Sequence, residues 1–151
     1  MKVKDRHNGN VLLCVPSGRL LHIDFGFMLA LSPGGDMAFE RAPFKLTPEM
    51  CLLLGREQSP LFRSFVNKCV RGFLVLRERA DDFISLFESM QFSRIACFKP
   101  FAVEHLRGRF QLHLSPLQAA AFMETKIWEA LQSLTTRAYD LVQHLQQGIQ
   151  H

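Results

Sequence analysis

Residues 5–26 read DRHNGNVLLCVPSGRLLHIDFG. An apolar run at Val11–Val15 is followed by Pro16-Ser17-Gly18 and then by a second run at Arg19–Ile23. Two short apolar runs separated by proline and glycine are typical of a β-hairpin. The segment therefore predicts two antiparallel strands that bring the residues at its two ends close together.

Polar residues stand at both ends of this hairpin. With five residues going out, three in the turn and five coming back, we predict that Asn10 lies opposite Asp24. A carboxylate oxygen beside an amide oxygen suits a hard cation such as Mg²⁺, which takes waters and phosphate oxygens as its other ligands. In phosphoryl transfer, an Asp and an Asn of this kind hold the metal. The pair predicts a magnesium site at the open end of the hairpin.

His7 and Asp5 are the candidates for the group that acts on the acceptor hydroxyl. An imidazole ring can accept a hydroxyl proton near neutral pH. Taken separately, each motif has a simpler explanation. Asn-Gly favours a turn, and the tripeptide Asp24-Phe25-Gly26 is too short to indicate a function by itself. The two motifs together, with a hairpin of matching arms between them, favour a phosphoryl-transfer site.

Residues 27–46 show no sustained hydrophobic period and contain Ser-Pro-Gly-Gly-Asp, which predicts a long, mobile loop. From Thr47 onward the apolar residues recur at helical spacing. Helix starts are predicted at Thr47-Pro48, Ser59-Pro60, Asp82, Ser115-Pro116 and Thr136. We therefore expect an α+β fold that is mostly helical, with a small β-hairpin followed by about five or six helices.

The composition of the 151 residues excludes several classes of protein. Apolar residues make up 48% of the chain, which allows a real core and excludes intrinsic disorder. The 14 phenylalanines are expected mainly in that core, and the 4 widely spaced cysteines are expected to be buried, reduced thiols of a cytosolic protein. The net charge of +4 is spread along the chain, so no nucleic-acid partner is expected. No apolar run follows the positive charges of residues 1–7, so no signal peptide is expected. The longest apolar stretches fall far short of the roughly 20 residues that a membrane-spanning helix needs.

At these motifs the chain resembles the phosphatidylinositol kinase superfamily, and most closely the type III phosphatidylinositol 4-kinases, in particular the beta-like type. The D-R-H-x-x-N catalytic loop stands at residues 5–10, and the H-I-D-F-G metal motif stands at residues 22–26. The 4-kinase assignment depends on the flanking residues Val3-Lys4, Phe27 and 39–47. The resemblance covers essentially the whole chain.

The resemblance implies that residues 1–151 form a protein-kinase-like carboxy-terminal lobe. Its parts would be the catalytic loop at 5–10, the metal motif at 24–26, the activation loop at 27–46 and a helical region at 47–151. No glycine-rich phosphate loop, strand lysine or hinge segment is recognisable, so the amino-terminal lobe is expected to be absent. The isolated chain is then expected to be inactive.

The resemblance also implies a role for individual residues. His7 would be the catalytic base or the group that orients the hydroxyl, with Asp5 and Arg6 supporting it. Asn10 and Asp24 would bind Mg²⁺ and, through it, ATP. The substrate-binding cations of the activation loop would be Arg41 and Lys45.

The implied reaction transfers the γ-phosphate of ATP to the 4-hydroxyl of phosphatidylinositol. Because Arg41 and Lys45 are balanced by Asp36 and Glu40, the activation loop is nearly neutral, which suits phosphatidylinositol without further phosphates. The expected location is the cytoplasm, with peripheral association with an intracellular membrane. The sequence does not identify adaptor proteins.

Two other interpretations stay open at this point. Within the enzyme class, the chain could belong to a phosphatidylinositol 3-kinase or a related protein kinase. Outside that class, it could be a non-catalytic helical remnant that binds a lipid or a partner protein. The missing nucleotide-binding lobe favours the remnant, whereas the intact His7, Asn10 and Asp24 argue against it.

Overall fold

The computed structural model describes residues 3–29, 31, 42–98 and 101–133. In these residues a two-stranded antiparallel sheet precedes five α-helices, so the predicted α+β, mostly helical fold is confirmed. The helix predicted from Thr136 lies outside the described residues, as does most of the predicted activation loop. The elements in chain order are a 3₁₀ turn at Asn8–Asn10, β1 Val11–Cys14, β2 Arg19–His22, α1 Pro48–Leu53, α2 Pro60–Glu78, α3 Ala80–Met90, α4 Ala102–Arg109 and α5 Pro116–Gln132.

The hairpin forms where it was predicted, but its register is shifted by one residue. Val11 pairs with His22, and the Ile23 N–H donates to the Asn10 carbonyl at 3.2 Å. The prediction that Asn10 lies opposite Asp24 is therefore wrong. The cause is the turn, which takes up residues 15–18 because Gly18, in the left-handed region at φ 65°, donates its N–H to the Cys14 carbonyl at 2.8 Å.

Large apolar side chains are exposed on both faces of the hairpin. The pair Leu13 and Leu20 lies on one face and the pair Leu12 and Leu21 on the other, because paired residues share a face and neighbours alternate. All four side chains are exposed in the described structure. A two-stranded hairpin with no covered face is marginal in water by itself.

Three helices begin at the caps that the sequence predicts. The Thr47 hydroxyl accepts from Met50 N–H at 3.3 Å, and the Ser59 hydroxyl accepts from Phe62 N–H at 3.0 Å. Ser115 and Gln118 form a reciprocal capping box at the start of α5. In all three cases proline occupies the first helical position, where no N–H is needed.

One helix was not predicted. α4, Ala102–Arg109, follows Phe101, whose backbone is left-handed at φ 68° and provides no side-chain cap. Four of its eight residues are charged or His and one is Gly108, so its apolar stripe is short. The helix is stabilised by burial of Ala102 and Leu106 against α3.

Two clusters of buried side chains hold the helices together. The first joins α3, α4 and the chain after Gly26, and comprises Leu29, Ala80, Ile84, Phe87, Cys97, Ala102, Leu106 and Phe110. The second joins α1, α2 and α5, and comprises Leu46, Cys51, Phe62, Ile127 and Ala130. No helix within the described ranges is long and apolar enough to cross a bilayer.

Two expectations from composition need correction. All four cysteines are free, as predicted, but Cys14 is exposed at the end of β1 and Cys69 is only half-buried. Several phenylalanines are exposed rather than in the core, Phe92 and Phe101 most of all. Composition reports how many apolar residues a chain has, whereas burial depends on which neighbours the fold supplies.

Candidate active site

The loop Asp5–Asn10 is fixed by a short 3₁₀ turn immediately before β1. The His7 side chain caps this turn, since its Nδ1 accepts from Gly9 N–H at 3.1 Å. An imidazole nitrogen that accepts a hydrogen bond carries no proton, so the neutral His7 ring is protonated at Nε2. The turn therefore fixes both the orientation and the tautomer of His7.

Asp5, His7 and Asn10 form one polar cluster. His7 Nε2 lies 3.9 Å from Asp5 Oδ1, and the two side chains are 10% and 14% exposed. The Asn10 amide nitrogen donates to the Asp5 carbonyl at 3.0 Å and approaches Asp5 Oδ2 at 3.4 Å. The cluster is thus largely shielded from water while both ring and carboxylate keep some access to it.

Arg6 joins this cluster to the end of β2. Its guanidinium donates to the Asn10 carbonyl at 3.2 Å and to the Ile23 carbonyl at 2.7 Å. It also donates to the carbonyl of Asp24 and, at 2.8 Å, to that of Lys4. A planar guanidinium with five N–H donors can bridge several carbonyls at once. Arg6 therefore sets the position of the Asp24 backbone relative to Asn10.

Asp24 lies at a sharp bend at the end of the hairpin. Its backbone is left-handed, with φ of 54°, as is that of Asp5 with φ of 59°. Aspartate tolerates this region better than most residues, and such outliers concentrate at functional sites. Asp24 Oδ1 accepts from Gly26 N–H at 3.1 Å, which fixes the carboxylate across the bend.

Gly26 is required by its closeness to that carboxylate. A Cβ placed on Gly26 would lie 3.2 Å from Asp24 Oδ1, which is tighter than ordinary van der Waals contact. A side chain at this position would push the carboxylate aside. The absence of a side chain at Gly26 thus leaves room for the Asp24 carboxylate in its observed position.

The oxygen atoms of Asn10 and Asp24 fit a magnesium site. Because the Asn10 nitrogen is used in bonding to Asp5, its amide oxygen is the group left to bind a cation. Asp24 is exposed and uses Oδ1 for the Gly26 N–H, which leaves Oδ2 as a second oxygen donor. Two protein oxygens with open positions suit Mg²⁺, which usually keeps waters and phosphate oxygens in its coordination shell.

Of the two predicted activation-loop cations, only Lys45 lies in the described residues. Its Nζ donates to the Asn8 side-chain oxygen at 2.7 Å, which places a positive charge against the loop that carries His7. Arg41 lies outside the described residues.

Sequence reasoning missed how the two motifs are held together. Arg6 was predicted to be part of the catalytic set, but its contacts with the backbone of residues 10, 23 and 24 could not be seen in the motif. The Lys4 N–H also donates to the Phe27 carbonyl at 2.8 Å, tying the chain before one motif to the chain after the other. The contacts between the two motifs join residues far apart in the chain, and no local spacing signals them.

Comparison with known proteins identifies the family. Residues 1–100 match the family described as phosphatidylinositol 3- and 4-kinase. The chain is 46% identical over 154 residues to phosphatidylinositol 4-kinase alpha 2 of Arabidopsis thaliana, covering 99% of this chain and 29% of that protein. It is 43% identical over 155 residues to phosphatidylinositol 4-kinase beta 1 of the same plant, covering 99% of this chain and 14% of that protein.

A third relative is also named a phosphatidylinositol 4-kinase. The phosphatidylinositol 4-kinase of Dictyostelium discoideum is 40% identical over 152 residues, which cover 99% of this chain and 13% of that protein. The chain thus spans less than a third of the length of each of these relatives. The predicted resemblance to the phosphatidylinositol 4-kinases, beta types included, is confirmed, and the chain belongs to the phosphatidylinositol 3- and 4-kinase family.

Proposed function

We propose that this chain is the carboxy-terminal lobe of a lipid kinase that transfers the γ-phosphate of ATP to the 4-hydroxyl of phosphatidylinositol. The observation that carries the proposal is the way Arg6 fastens the His7 loop to the backbone of Asp24. Phosphoryl transfer depends mostly on positioning and on stabilised charge, so a metal carboxylate and a hydroxyl-side group must be held in fixed relation. The relatives described above, all named phosphatidylinositol 4-kinases, support the lipid substrate.

His7 and Asp5 would divide the work on the acceptor hydroxyl. Since the Gly9 N–H occupies Nδ1, the neutral His7 ring presents Nε2–H, which orients the lipid hydroxyl by donating to its oxygen. The Asp5 carboxylate, whose Oδ1 is 3.9 Å from Nε2, is the adjacent acceptor for the proton that the hydroxyl gives up. Of the two roles considered for His7, the hydrogen bonding favours orientation of the hydroxyl over general base.

Asn10 and Asp24 would hold Mg²⁺ through the amide oxygen and the second carboxylate oxygen. A Mg²⁺ ion held there would supply positive charge to offset the negative charge that develops on the phosphate oxygens of ATP. Asp24 keeps its carboxylate aligned through the Gly26 N–H, and Asn10 keeps its amide aligned through Asp5. ATP binding through Asn10 and Asp24 is therefore a proposal that depends on the metal.

The substrate side would be formed by residues 27–46. Lys45, at the catalytic loop, is suited to the single phosphate of phosphatidylinositol, with Arg41 as a second cation. Two cations balanced by two acids give little help to a lipid that carries extra phosphates. We expect the enzyme to prefer phosphatidylinositol and to act in the cytoplasm as a peripheral protein on an intracellular membrane.

The remaining partner is an amino-terminal kinase lobe. Residues 1–151 contain groups for the metal and the acceptor hydroxyl, but no glycine-rich loop or strand lysine for the ATP phosphates is recognisable in them. The exposed apolar faces of the β1–β2 hairpin support a partner that covers them. We propose that such a lobe, in a longer protein, completes the enzyme.

A chimaera tests the function. Residues 1–151 would replace the matching 155 residues of the beta 1 kinase of Arabidopsis thaliana, and the labelled lipid product would be separated into 3- and 4-phosphates. We expect phosphatidylinositol 4-phosphate from the chimaera and a loss of about 10²-fold or more in rate for Asp24→Ala, which removes both carboxylate oxygens. Asp5→Asn should reduce the rate more than His7→Gln, because glutamine retains an N–H donor.

Three results would contradict the proposal. A 3-phosphorylated product would assign the chain to the 3-kinases. A folded chimaera with no activity would favour a non-catalytic remnant, provided that the parent kinase is active in the same assay. Full activity of Asp24→Ala would exclude Asp24 as a metal ligand.

A further inference from the structure

The connection between α3 and α4, residues 91–101, exposes large apolar side chains. Phe92 is 90% exposed, Phe101 is 68% exposed and Ile95 is 48% exposed. Single apolar residues are common on protein surfaces, but three of them in one short connection are a candidate interaction surface. We call residues 91–101 the α3–α4 segment.

The base of this segment is firmly packed. Cys97 is buried in the first cluster, and Phe98 packs on Phe87 with ring centroids 5.4 Å apart. Cys97 and Phe98 therefore anchor the segment to the helices by packing, while Phe92 and Ile95 of the same segment are exposed.

The backbone of the segment is strained where it presents its outer residues. Arg94 and Phe101 have φ of 60° and 68°, in the left-handed region. This region costs a non-glycine residue about 1 kcal/mol or more. Burial of the ring does not offset this strain at Phe101, because the side chain is exposed in the described structure. The exposed Phe101 ring is therefore available for a contact outside the described residues.

The charge of the segment indicates which kind of surface it contacts. Residues 91–101 include Arg94 and Lys99 and no Asp or Glu. Aromatic rings favour the headgroup level of a bilayer, and nearby Lys and Arg are attracted to anionic lipids. Exposed aromatic and aliphatic side chains around the exposed Arg94, in a segment without acidic residues, thus match an anionic membrane surface.

The segment also lies beside the chain that leaves the metal motif. Leu29 is part of the same buried cluster as Cys97, and Met28 and Leu31 pack against that cluster. These residues begin the loop that we propose for the inositol headgroup. A lipid kinase must bring that side of its site to the bilayer, so a membrane contact at the α3–α4 segment is continuous with the proposed substrate side.

We propose that the α3–α4 segment docks on an anionic lipid surface, with Phe92, Ile95 and Phe101 entering the headgroup region and Arg94 contacting acidic headgroups. The proposal rests on the proposed function only in taking the substrate side to be the membrane side. It requires neither ATP nor phosphatidylinositol.

Vesicle sedimentation of the 151-residue chain tests the docking. Vesicles of phosphatidylcholine alone and of phosphatidylcholine with phosphatidylserine would be compared, with a vesicle-free sample to subtract self-association. We expect binding to the anionic vesicles, reduced about tenfold in Phe92→Ser/Phe101→Ser. Arg94→Glu should weaken binding to anionic vesicles by about fivefold or more and leave the neutral vesicles unaffected. The matched control is Val75→Ser/Leu117→Ser, two exposed positions on α2 and α5.

A fluorescence measurement gives a second readout that does not depend on affinity. The wild-type chain has a single tryptophan, Trp128 on α5. In Phe92→Trp the added fluorescence should be quenched by brominated phosphatidylcholine in anionic vesicles, whereas Trp128 alone and Leu117→Trp should be quenched little. All the changed side chains are exposed, so circular dichroism should show unchanged helix content.

Three results would overturn the proposal. The first is the absence of binding to anionic vesicles, and the second is an equal loss of binding in the segment variant and the control variant. Either of these would leave a protein as the partner of the segment. The third is a failure of brominated lipid to quench the fluorescence added by Phe92→Trp. Because no substrate is present, each of these results would leave the kinase activity of the chimaera as a separate question.

Discussion

The guanidinium of Arg6 donates to the carbonyl of Ile23 across 2.7 Å, and through this bond the residue before Asp24 is held against the loop that carries His7. The same guanidinium stacks over the Phe25 ring, with 5.7 Å between the guanidinium carbon and the ring centroid. The Arg6 side chain thus links the 5–10 motif to the 24–26 motif, in addition to the backbone bond between Lys4 and Phe27. Its removal should affect both stability and catalysis.

Replacing Arg6 with lysine should destabilise the chain. A lysine has a single ammonium group and lacks the planar, forked donors of a guanidinium, so it cannot reach the carbonyls of Asn10, Ile23 and Asp24 together. Some of these carbonyls would lose the hydrogen bond that Arg6 donates. We expect the free energy of unfolding to fall by about 2 kcal/mol, measured by urea denaturation followed by circular dichroism. Arg63→Lys, at an exposed position of α2, is the control. Equal stability of the two variants would show that the Arg6 contacts contribute little.

Gly26→Ala should weaken magnesium binding without unfolding the chain. Its Cβ would press on Asp24 Oδ1 from 3.2 Å and shift the carboxylate by a few tenths of an ångström. In the active chimaera we expect the Mg²⁺ concentration for half-maximal rate to rise roughly threefold to tenfold.

The matched control for that experiment is Gly72→Ala. A Cβ on Gly72, in the middle of α2, meets no atom within 4 Å. That change should leave the Mg²⁺ requirement unchanged and stabilise the helix by about 0.5–1 kcal/mol. An unaltered Mg²⁺ requirement in Gly26→Ala would count against Asp24 as a ligand.

Phe62→Ala should be among the most destabilising single changes in the helical region. Phe62 is 1% exposed, and its ring packs on Phe65 and Trp128 with centroids 5.9 and 5.5 Å away. The cavity should cost about 3–5 kcal/mol in thermal or urea unfolding. The neighbouring Leu61 is 63% exposed, so Leu61→Ala should change stability by roughly 0.5 kcal/mol or less. Similar losses at both positions would mean that α2 does not pack through Phe62.

The thiols should differ in their pH dependence of alkylation. The Ser17 hydroxyl, by hydrogen bonding to the sulfur, lowers the pKa of Cys14, whereas burial raises the pKa values of Cys51 and Cys69. Because the thiolate is the reactive form, Cys14 should react with iodoacetamide at a lower pH than the other two. Peptide mass spectrometry across a pH series would measure each midpoint. In Ser17→Ala the Cys14 midpoint should move upward, and an unmoved midpoint would rule out the hydroxyl as the cause.

The 151-residue chain alone should not phosphorylate phosphatidylinositol. It has no recognisable group for the β- and γ-phosphates of ATP, and losing one such donor typically costs ~10²–10³ in rate. Turnover should be indistinguishable from that of His7→Ala, and size-exclusion chromatography should show self-association through the exposed hairpin. ATP-dependent formation of phosphatidylinositol 4-phosphate by this chain would show that residues within 1–151 hold the nucleotide.

The elements that could be predicted are those specified by neighbouring residues. Ser59-Pro60 and Ser115-Pro116 mark helix starts that the sequence alone reveals. The capping hydroxyl accepts a hydrogen bond from an N–H only three residues further along the chain. The motifs at 5–10 and 24–26 likewise allowed a prediction of the chemistry from local sequence. Their residue types limit which metal ions they can bind and which protons they can accept or donate. α4 was missed because it has no such cap and is stabilised by burial against α3.

What the sequence by itself determined, then, was the fold class, the three helix starts capped by Thr47, Ser59 and Ser115, and the residues of the two motifs. Only the tertiary structure decided the hairpin register, which puts Ile23 rather than Asp24 opposite Asn10, and the contacts that Arg6 makes across the hairpin mouth. It also decided that Phe62 is buried while Phe92 is exposed. The physical reason is range: capping and turn chemistry act between neighbours, whereas pairing, bridging and burial depend on which distant residues meet.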